Sequence, residues 1–142
     1  YKNFYNIGIA VDTADGLVVP VIQNADKLSV VELAQQLNSI SEKARNKKLS
    51  LHELKGGTFT ITSFGSIGGY YAVPVINYPQ TGILGIGRIL EKPVIKNDEI
   101  VKGVVMPLSL SVDHRIVDGG EVTRFLNKIM YYLADPFALI MD

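Results

Sequence analysis

The chain of 142 residues contains no cysteine. That excludes disulfides, thiolate metal sites and a cysteine nucleophile, and it suits a reducing compartment. Net charge is lacking too, because 14 Lys and Arg balance 14 Asp and Glu. No polybasic run is present, so nothing points to nucleic acid or to an anionic membrane surface. A surface without long-range self-repulsion is compatible with self-association. No apolar run reaches the roughly 18 residues that a membrane helix needs. A signal peptide, an internal repeat and a flexible linker are also missing. The chain opens on Tyr1 rather than Met and is read as a piece of a longer or processed protein.

The remaining composition is that of an ordinary globular domain with one core. Two runs rich in Ile and Val, 4–11 and 17–22, flank Thr13-Ala14-Asp15-Gly16, and the Asp-Gly pair signals a hairpin. Leu17–Ile22 reads as buried, with Pro20 at an edge or strand end. Ser29 and Glu32 have capping-box spacing. Val30, Leu33, Ala34, Leu37, Ile40 and Ala44 then give a helix with one apolar face, and Lys47 and Lys48 suit the negative end of its dipole. Ser50 and Glu53 cap a short turn that Gly56-Gly57 ends. A strand is expected at 58–64, followed by the glycine-rich loop Gly65-Ser66-Ile67-Gly68-Gly69.

Two long strands are expected at 82–95 and 99–112, separated by Lys96-Asn97-Asp98. Gly82, Gly85 and Gly87 inside the first cost stability unless a backbone or ligand approaches closely. The last helix is expected at 120–134, with Val122, Phe125, Leu126, Ile129 and Leu133 as its buried stripe and Pro136 as its stop. Hairpin-paired strands with two amphipathic helices imply an α/β (two-layer α+β) domain. Its sheet is mixed and largely antiparallel, with helices on one face. The other sheet face calls for a partner subunit or a preceding segment.

Of two histidines, His52 lies in a polar turn and reads as a surface or capping residue. His114 lies in Asp113-His114-Arg115-Ile116-Val117-Asp118-Gly119-Gly120, where a strand gives way to a helix, and such junctions commonly carry reactive side chains. An imidazole, with a reference pKa of about 6.5, is suited to general base work. Asp118, four residues on, could orient the ring or bias its protonation. On spacing alone the same residues also read as a helix start with Asp118 as N-cap. Thr62, likewise, reads on its own as a β-branched strand residue.

Asp113-His114-Arg115-Ile116-Val117-Asp118-Gly119 resembles the Asp-His-Arg-x-x-Asp-Gly signature of dihydrolipoamide acyltransferases, the core components (E2) of 2-oxo acid dehydrogenase complexes. Asn6–Thr13 with Gly16–Ile22 is similar to that family's earlier hairpin, and Phe59–Gly69 to its glycine-rich segment. Pro74-Val75-Ile76-Asn77 and Ile83-Leu84-Gly85-Ile86-Gly87 also match, so the likeness runs in order from about residue 5 to the C-terminus.

The resemblance implies a chloramphenicol acetyltransferase-like fold, and trimers with the active site at a subunit boundary. It implies that His114 takes the proton of the attacking thiol and that the Thr62 hydroxyl stabilises the oxyanion. Asp118 would support them, paired with an arginine, for which Arg115 is a candidate; an intersubunit bridge by Arg115 is the other. Ser63 is the fallback for Thr62, although alternation turns it to the other face. Ser63, Arg115 and Gly119 are supporting or substrate-channel positions. The substrates implied are coenzyme A and a lipoyl group carried on a separate lipoyl domain, with no metal. The trimer belongs to a larger cubic or dodecahedral core, and E1 and E3 components bind through modules outside these residues. Residues 1–142 would form a single catalytic domain short of its N-terminal part. Acetyl is the expected acyl group, in a pyruvate dehydrogenase complex, with branched-chain acyl second and succinyl third. The compartment is bacterial cytoplasm, or mitochondrial matrix in a eukaryote.

The chemistry is coherent from the residues. A thiol of reference pKa near 8.5 is mostly protonated at neutral pH. A neighbouring imidazole can accept its proton as the sulfur attacks a thioester carbonyl, and one oriented hydroxyl can stabilise the charge that builds on the carbonyl oxygen. Both substrates bring their own sulfur, so a chain without cysteine suffices. Rivals fare worse. Gly65-Ser66-Ile67-Gly68-Gly69 does not supply a Gly-x-Ser-x-Gly elbow or the Lys-Ser/Thr of a P-loop, and Leu90 stands where a dinucleotide fingerprint after Gly85-x-Gly87 needs glycine. His114 and Asp118 lack two further metal ligands. A drug acetyltransferase of the same fold shares His-x-x-x-Asp-Gly, but Asp113 and Arg115 favour the lipoyl enzyme. A scaffold without catalysis would be marked by loss of the histidine, and His114 is present.

Overall fold

Pro20 sets the break in the first pair of strands. In the computed structural model, which describes residues 2–135 and 137–141, each of the two expected N-terminal strands is divided in two. β1 (Ile7–Ile9) and β2 (Val11–Thr13) face β4 (Val21–Ile22) and β3 (Gly16–Val18) in one antiparallel register, with Ile7 opposite Ile22 and Val11 opposite Val18. Proline has no N–H to give the ladder, although the Pro20 carbonyl still accepts from the Ile9 N–H at 2.8 Å. Phe4 and Tyr5, expected in the first strand, lie outside it and are exposed. The turn is made by Ala14 and Asp15, with Gly16 following at φ +115°. Thr13 fixes that turn, its hydroxyl donating to the Gly16 carbonyl at 2.7 Å and accepting from the Asp15 N–H at 3.3 Å. Leu17 is exposed, so burial of the second run begins only towards Pro20, Val21 and Ile22.

The first helix is α1 (Val30–Arg45). Ser29 caps it as expected, accepting from the Glu32 N–H at 3.3 Å while the Glu32 carboxylate accepts from the Ser29 N–H at 2.8 Å. It packs on β2 and β4. Only Ile40 and Ala44 of its apolar face are fully buried, and Val30 is 80% exposed, so burial is concentrated in the C-terminal half. Burying a side chain the size of Ile40 stabilises by about 1.5–3 kcal/mol. After α1, Ser50 and Glu53 cap the short turn His52–Leu54, and Lys43 bonds the Glu53 carboxylate at 2.7 Å. Lys47 pairs with Asp15 on the β2–β3 turn.

The central sheet has the order β4-β1-β5-β6-β9, formed with β5 (Phe59–Ser63), β6 (Gly82–Ile86) and β9 (Leu108–Val112). The β1–β5 and β5–β6 pairs are parallel and the β1–β4 pair is antiparallel. The two strands expected at 82–95 and 99–112 are therefore not continuous. Their inner halves are β6 and β9. Their outer halves, β7 (Leu90–Lys96) and β8 (Glu99–Val105), make a separate antiparallel ribbon. Its turn, Asn97-Asp98, has positive φ at both residues, as a two-residue type I′ hairpin requires.

Gly87 explains the break. A Cβ there would collide with the Tyr70 carbonyl, while the Gly87 N–H donates to Pro107 O at 2.9 Å and the Arg88 N–H to Gly69 O at 2.7 Å. The backbone leaves the ladder to pair with the glycine-rich loop. Gly82 and Gly85 meet rings instead, since a Cβ would lie 2.9 Å from Phe59 Cε2 and 2.7 Å from Phe64 Cε1 respectively. The expected close approach is thus backbone at one strand glycine and aromatic side chains at two.

The chain divides into two compact units, one ending at Ser111 and one beginning at Val112. The second contains α2 (Gly119–Ala134) and the short α3 (Ala138–Met141). None of α2's expected stripe is fully buried; Phe125 and Leu133 are exposed and Val122, Leu126 and Ile129 are half-buried. Pro136, the expected helix stop, lies outside the described residues.

Candidate active site

Thr62 is the penultimate residue of β5 and pairs with Gly85 of β6. Alternation puts it on the face that carries Thr60 and Phe64 and turns Ser63 to the opposite one. Thr62 is half-buried and Ser63 exposed. The two threonines differ. The Thr60 hydroxyl is fully buried and donates to Gln80 Oε1 at 2.6 Å, whereas the Thr62 hydroxyl has no hydrogen-bond partner among the described residues. Immediately beyond, the chain turns through Gly65–Ile67 and Gly68 (φ +95°). A Cβ on Gly65 would sit 2.6 Å from Gly87 O. Close backbone packing therefore holds the end of β5.

The second unit carries His114, Arg115, Asp118 and Gly119. β9 ends at Val112, and a turn follows in which the Asp113 carbonyl accepts from the Ile116 and Val117 N–H groups, both at 3.0 Å. His114 is exposed, and its ring has no hydrogen-bond partner among the described residues. Asp118 caps α2, accepting from the Glu121 N–H at 2.8 Å while the Glu121 side chain accepts from the Asp118 N–H at 3.4 Å. The helix-start reading of the spacing is therefore realised. Gly119 is the first helical residue, with open space where a Cβ would be.

The arginine pairing differs from expectation. Arg115 does not pair with Asp118. Its Nε and Nη2 donate to the two Asp113 carboxylate oxygens at 2.9 and 2.7 Å, and its N–H donates to Oδ1 at 3.1 Å. These bonds hold the Asp113 carboxyl down to about 2, with the side-chain bond from Arg115 the largest cause. The Asp118 carboxyl is also lowered, first by the Glu121 backbone N–H, then by the Gly120 N–H and the charges of Arg124 and His114. Among the arginines it is Arg124 whose charge acts on the Asp118 carboxyl. The Asp113–Arg115 pairing is absent from the sequence reading, and an i,i+2 Asp/Arg pair within a turn is the signal available for it.

Thr62 and Ser63 thus belong to the first unit and the histidine group to the second. His52 is exposed and remote in sequence from both, as a surface residue should be. Two surface hollows, of about 380 and 240 Å³, are lined by β7–β8 residues such as Pro93 and Ile100, and by residues including Leu54, Tyr78 and Gln80; neither contains a candidate site residue. No group of three or more potential metal ligands occurs among the described residues, and no described helix is long and apolar enough to cross a membrane.

Residues 1–141 match the family described as 2-oxoacid dehydrogenases acyltransferase (catalytic domain). The dihydrolipoyllysine-residue acetyltransferase component of the pyruvate dehydrogenase complex of Acholeplasma laidlawii is 51% identical over 99% of this chain and 26% of its own length. The Bacillus subtilis protein of the same name is 49% identical over 99% of this chain and 32% of its own length. The chain therefore spans a third or less of these curated relatives. Among solved structures, the dihydrolipoamide acetyltransferase of Azotobacter vinelandii superposes with a TM-score of 0.94 at 42% identity, covering 98% of this chain and 57% of that one. That structure comes from a study of a serine, a histidine and an asparagine in its catalytic mechanism. A truncated catalytic core of the 2-oxoacid dehydrogenase multienzyme complex of Thermoplasma acidophilum gives a TM-score of 0.84 at 47% identity, over 95% of this chain and 59% of that one. The fold is that of the chloramphenicol acetyltransferase-like catalytic cores, and the chain belongs to the 2-oxoacid dehydrogenase acyltransferase (catalytic domain) family.

Proposed function

We propose that the protein containing this chain moves an acetyl group between the thiol of dihydrolipoyl-lysine and the thiol of coenzyme A. It would do so as a core component of a pyruvate dehydrogenase complex. One observation carries the assignment of the site. In the Azotobacter enzyme the studied serine stands fifty-two positions before the histidine, and the asparagine four after it. Thr62, His114 and Asp118 repeat both intervals. The same register supports Thr62 over Ser63, as does the half-buried strand position of Thr62.

In this reading the coenzyme A thiol gives its proton to the His114 imidazole as its sulfur attacks the carbonyl carbon of the acetyl-lipoyl thioester. A new carbon–sulfur bond forms and the carbonyl oxygen becomes an oxyanion, to which the Thr62 hydroxyl donates. Collapse breaks the old carbon–sulfur bond, and the imidazolium returns the proton to the leaving lipoyl thiolate. An exposed imidazole with no hydrogen-bond partner among the described residues is suited to both transfers. Asp118, ionised and carrying the cap of α2, supports the imidazolium formed between them. His114 and Thr62 would meet across a boundary between copies of the chain, and those copies would assemble into a larger core; a structural relative is the cubic core of the pyruvate dehydrogenase multienzyme complex.

The acetyl assignment is supported by the relatives' names. The lipoyl domain and the E1 and E3 components would be engaged through the rest of the protein. Cytoplasmic placement is part of the same proposal. The test uses the full-length protein: His114→Ala should assemble normally and lose transfer, read as acetyl-dihydrolipoamide formed from acetyl-CoA. Transfer at an undiminished rate would refute the base assignment. Isobutyryl- and succinyl-CoA, offered in parallel, should react more slowly than acetyl-CoA.

A further inference from the structure

The residue between Asp113 and Arg115 is the proposed base, and this pair closes around it. Asp113 receives five hydrogen bonds. Three come from Arg115, through its N–H, Nε and Nη2, and two reach the Asp113 carbonyl from the Ile116 and Val117 N–H groups. Every residue from 115 to 117 is thereby tied back to 113, and the backbone of His114 is held on both sides. The His114 ring is left out of the network. Such an arrangement fixes where the imidazole starts from without occupying either of its nitrogens. The Asp113 side chain is largely covered, at 18% exposed, while that of Arg115 is 86% exposed, so the guanidinium lies over the carboxylate from the solvent side.

We infer that Asp113 and Arg115 form a positioning clamp for His114, in which the forked guanidinium, not merely its charge, sets the turn that presents the imidazole. This rests on the reading of His114 as the base. A planar fork donating to both carboxylate oxygens has a geometry that an ammonium group cannot reproduce. The rival role for an exposed arginine in a coenzyme A enzyme is a direct contact to the coenzyme's phosphates. The two differ in kinetics: loss of positioning lowers kcat, whereas loss of a ground-state contact raises KM.

The experiment uses the full-length protein and measures kcat and KM for coenzyme A in Arg115→Met, Arg115→Lys, Asp113→Asn and the Arg115→Met/Asp113→Asn double variant. Sedimentation confirms that each assembles. The expected result is a fall in kcat of about ten- to a hundredfold for Arg115→Met, the scale of a displaced catalytic group, with KM for coenzyme A unchanged. Arg115→Lys should not restore the rate. The double variant should be no slower than the slower single, because both remove one interaction. Should a substitution at 115 prevent assembly, Asp113→Asn carries the same expectation. The clamp is overturned by wild-type kcat in Arg115→Met or Asp113→Asn, by a raised KM with kcat intact, by rescue in Arg115→Lys, or by losses that multiply. His114→Ala run alongside separates the two readings. If it is inactive while Arg115→Met is fully active, only the clamp fails; if it is fully active, the base reading fails and the clamp with it.

Discussion

Thr60 and Thr62 lie two residues apart on the same face of β5, yet they are chemically unlike. One hydroxyl is fully buried and committed to Gln80; the other has no hydrogen-bond partner among the described residues. Only an uncommitted hydroxyl can donate to a charge that develops during a reaction. Thr62→Ala should therefore lower kcat by about 10²–10³, the usual cost of an oxyanion donor, while Thr62→Ser keeps the donor and most of the rate. Steady-state kinetics on the assembled protein checks this, and equal rates for Ala and wild type would remove Thr62 from the mechanism. Asp118 permits a different separation. Asn caps a helix as well as Asp does, and the Azotobacter relative has an asparagine at the corresponding interval. Asp118→Asn is expected to retain both the melting temperature and substantial transfer activity. Asp118→Ala, which loses the bond from the Glu121 N–H, should melt lower and work more slowly.

At the scale of elements, what could be read from the sequence was whatever is decided locally. Ser29 and Glu32 form the capping box that their spacing implies, and Ser50 and Glu53 repeat the device on the short turn after α1. The strand ends were misplaced where a distant backbone intervenes. Gly87 looked like the interior of a long strand because nothing nearby in sequence shows that Tyr70 and Pro107 will meet it. The histidine-bearing motif and Thr62 stand out as candidates through family resemblance, but the partner of Arg115 does not, since a turn has to form before Asp113 can face it.

The link between α1 and the His52–Leu54 turn yields a prediction about acid. The Lys43 side chain, foremost, and then Ser50 hold the Glu53 carboxyl at about 2, below the value near 4.3 expected of an unfolded chain. A lowered folded value means that this contribution is complete above about pH 4.3 and is lost as pH falls through about 2. Lys43→Met should raise the Glu53 carboxyl towards its ordinary value, followed by carbon-13 NMR of the side chain. It should also move the acid limb of unfolding to higher pH. An unmoved Glu53 titration would show that the ion pair is not formed in solution.

The whole chain presents one run that a solitary copy does not explain. Between the glycine-rich loop and Gln80, residues 71–77 belong to no helix or strand, and Tyr71, Val73, Val75 and Tyr78 are 70%, 90%, 87% and 89% exposed. Large apolar side chains exposed this densely along one segment suit a surface that another chain covers. The chain carries no net charge to keep copies apart, and its relatives include the cubic core of a multienzyme complex. A stable interface needs on the order of 1,200–2,000 Å² in total, which this run alone does not supply, so other surfaces must join it, and the run would form the apolar part of the contact. Replacing both Val73 and Val75 with Lys places two like charges where that contact is expected while leaving the buried core untouched. The full-length variant should retain its far-ultraviolet circular dichroism and sediment as a smaller species than wild type. A variant that keeps the full particle mass would place the contact between copies elsewhere on the chain.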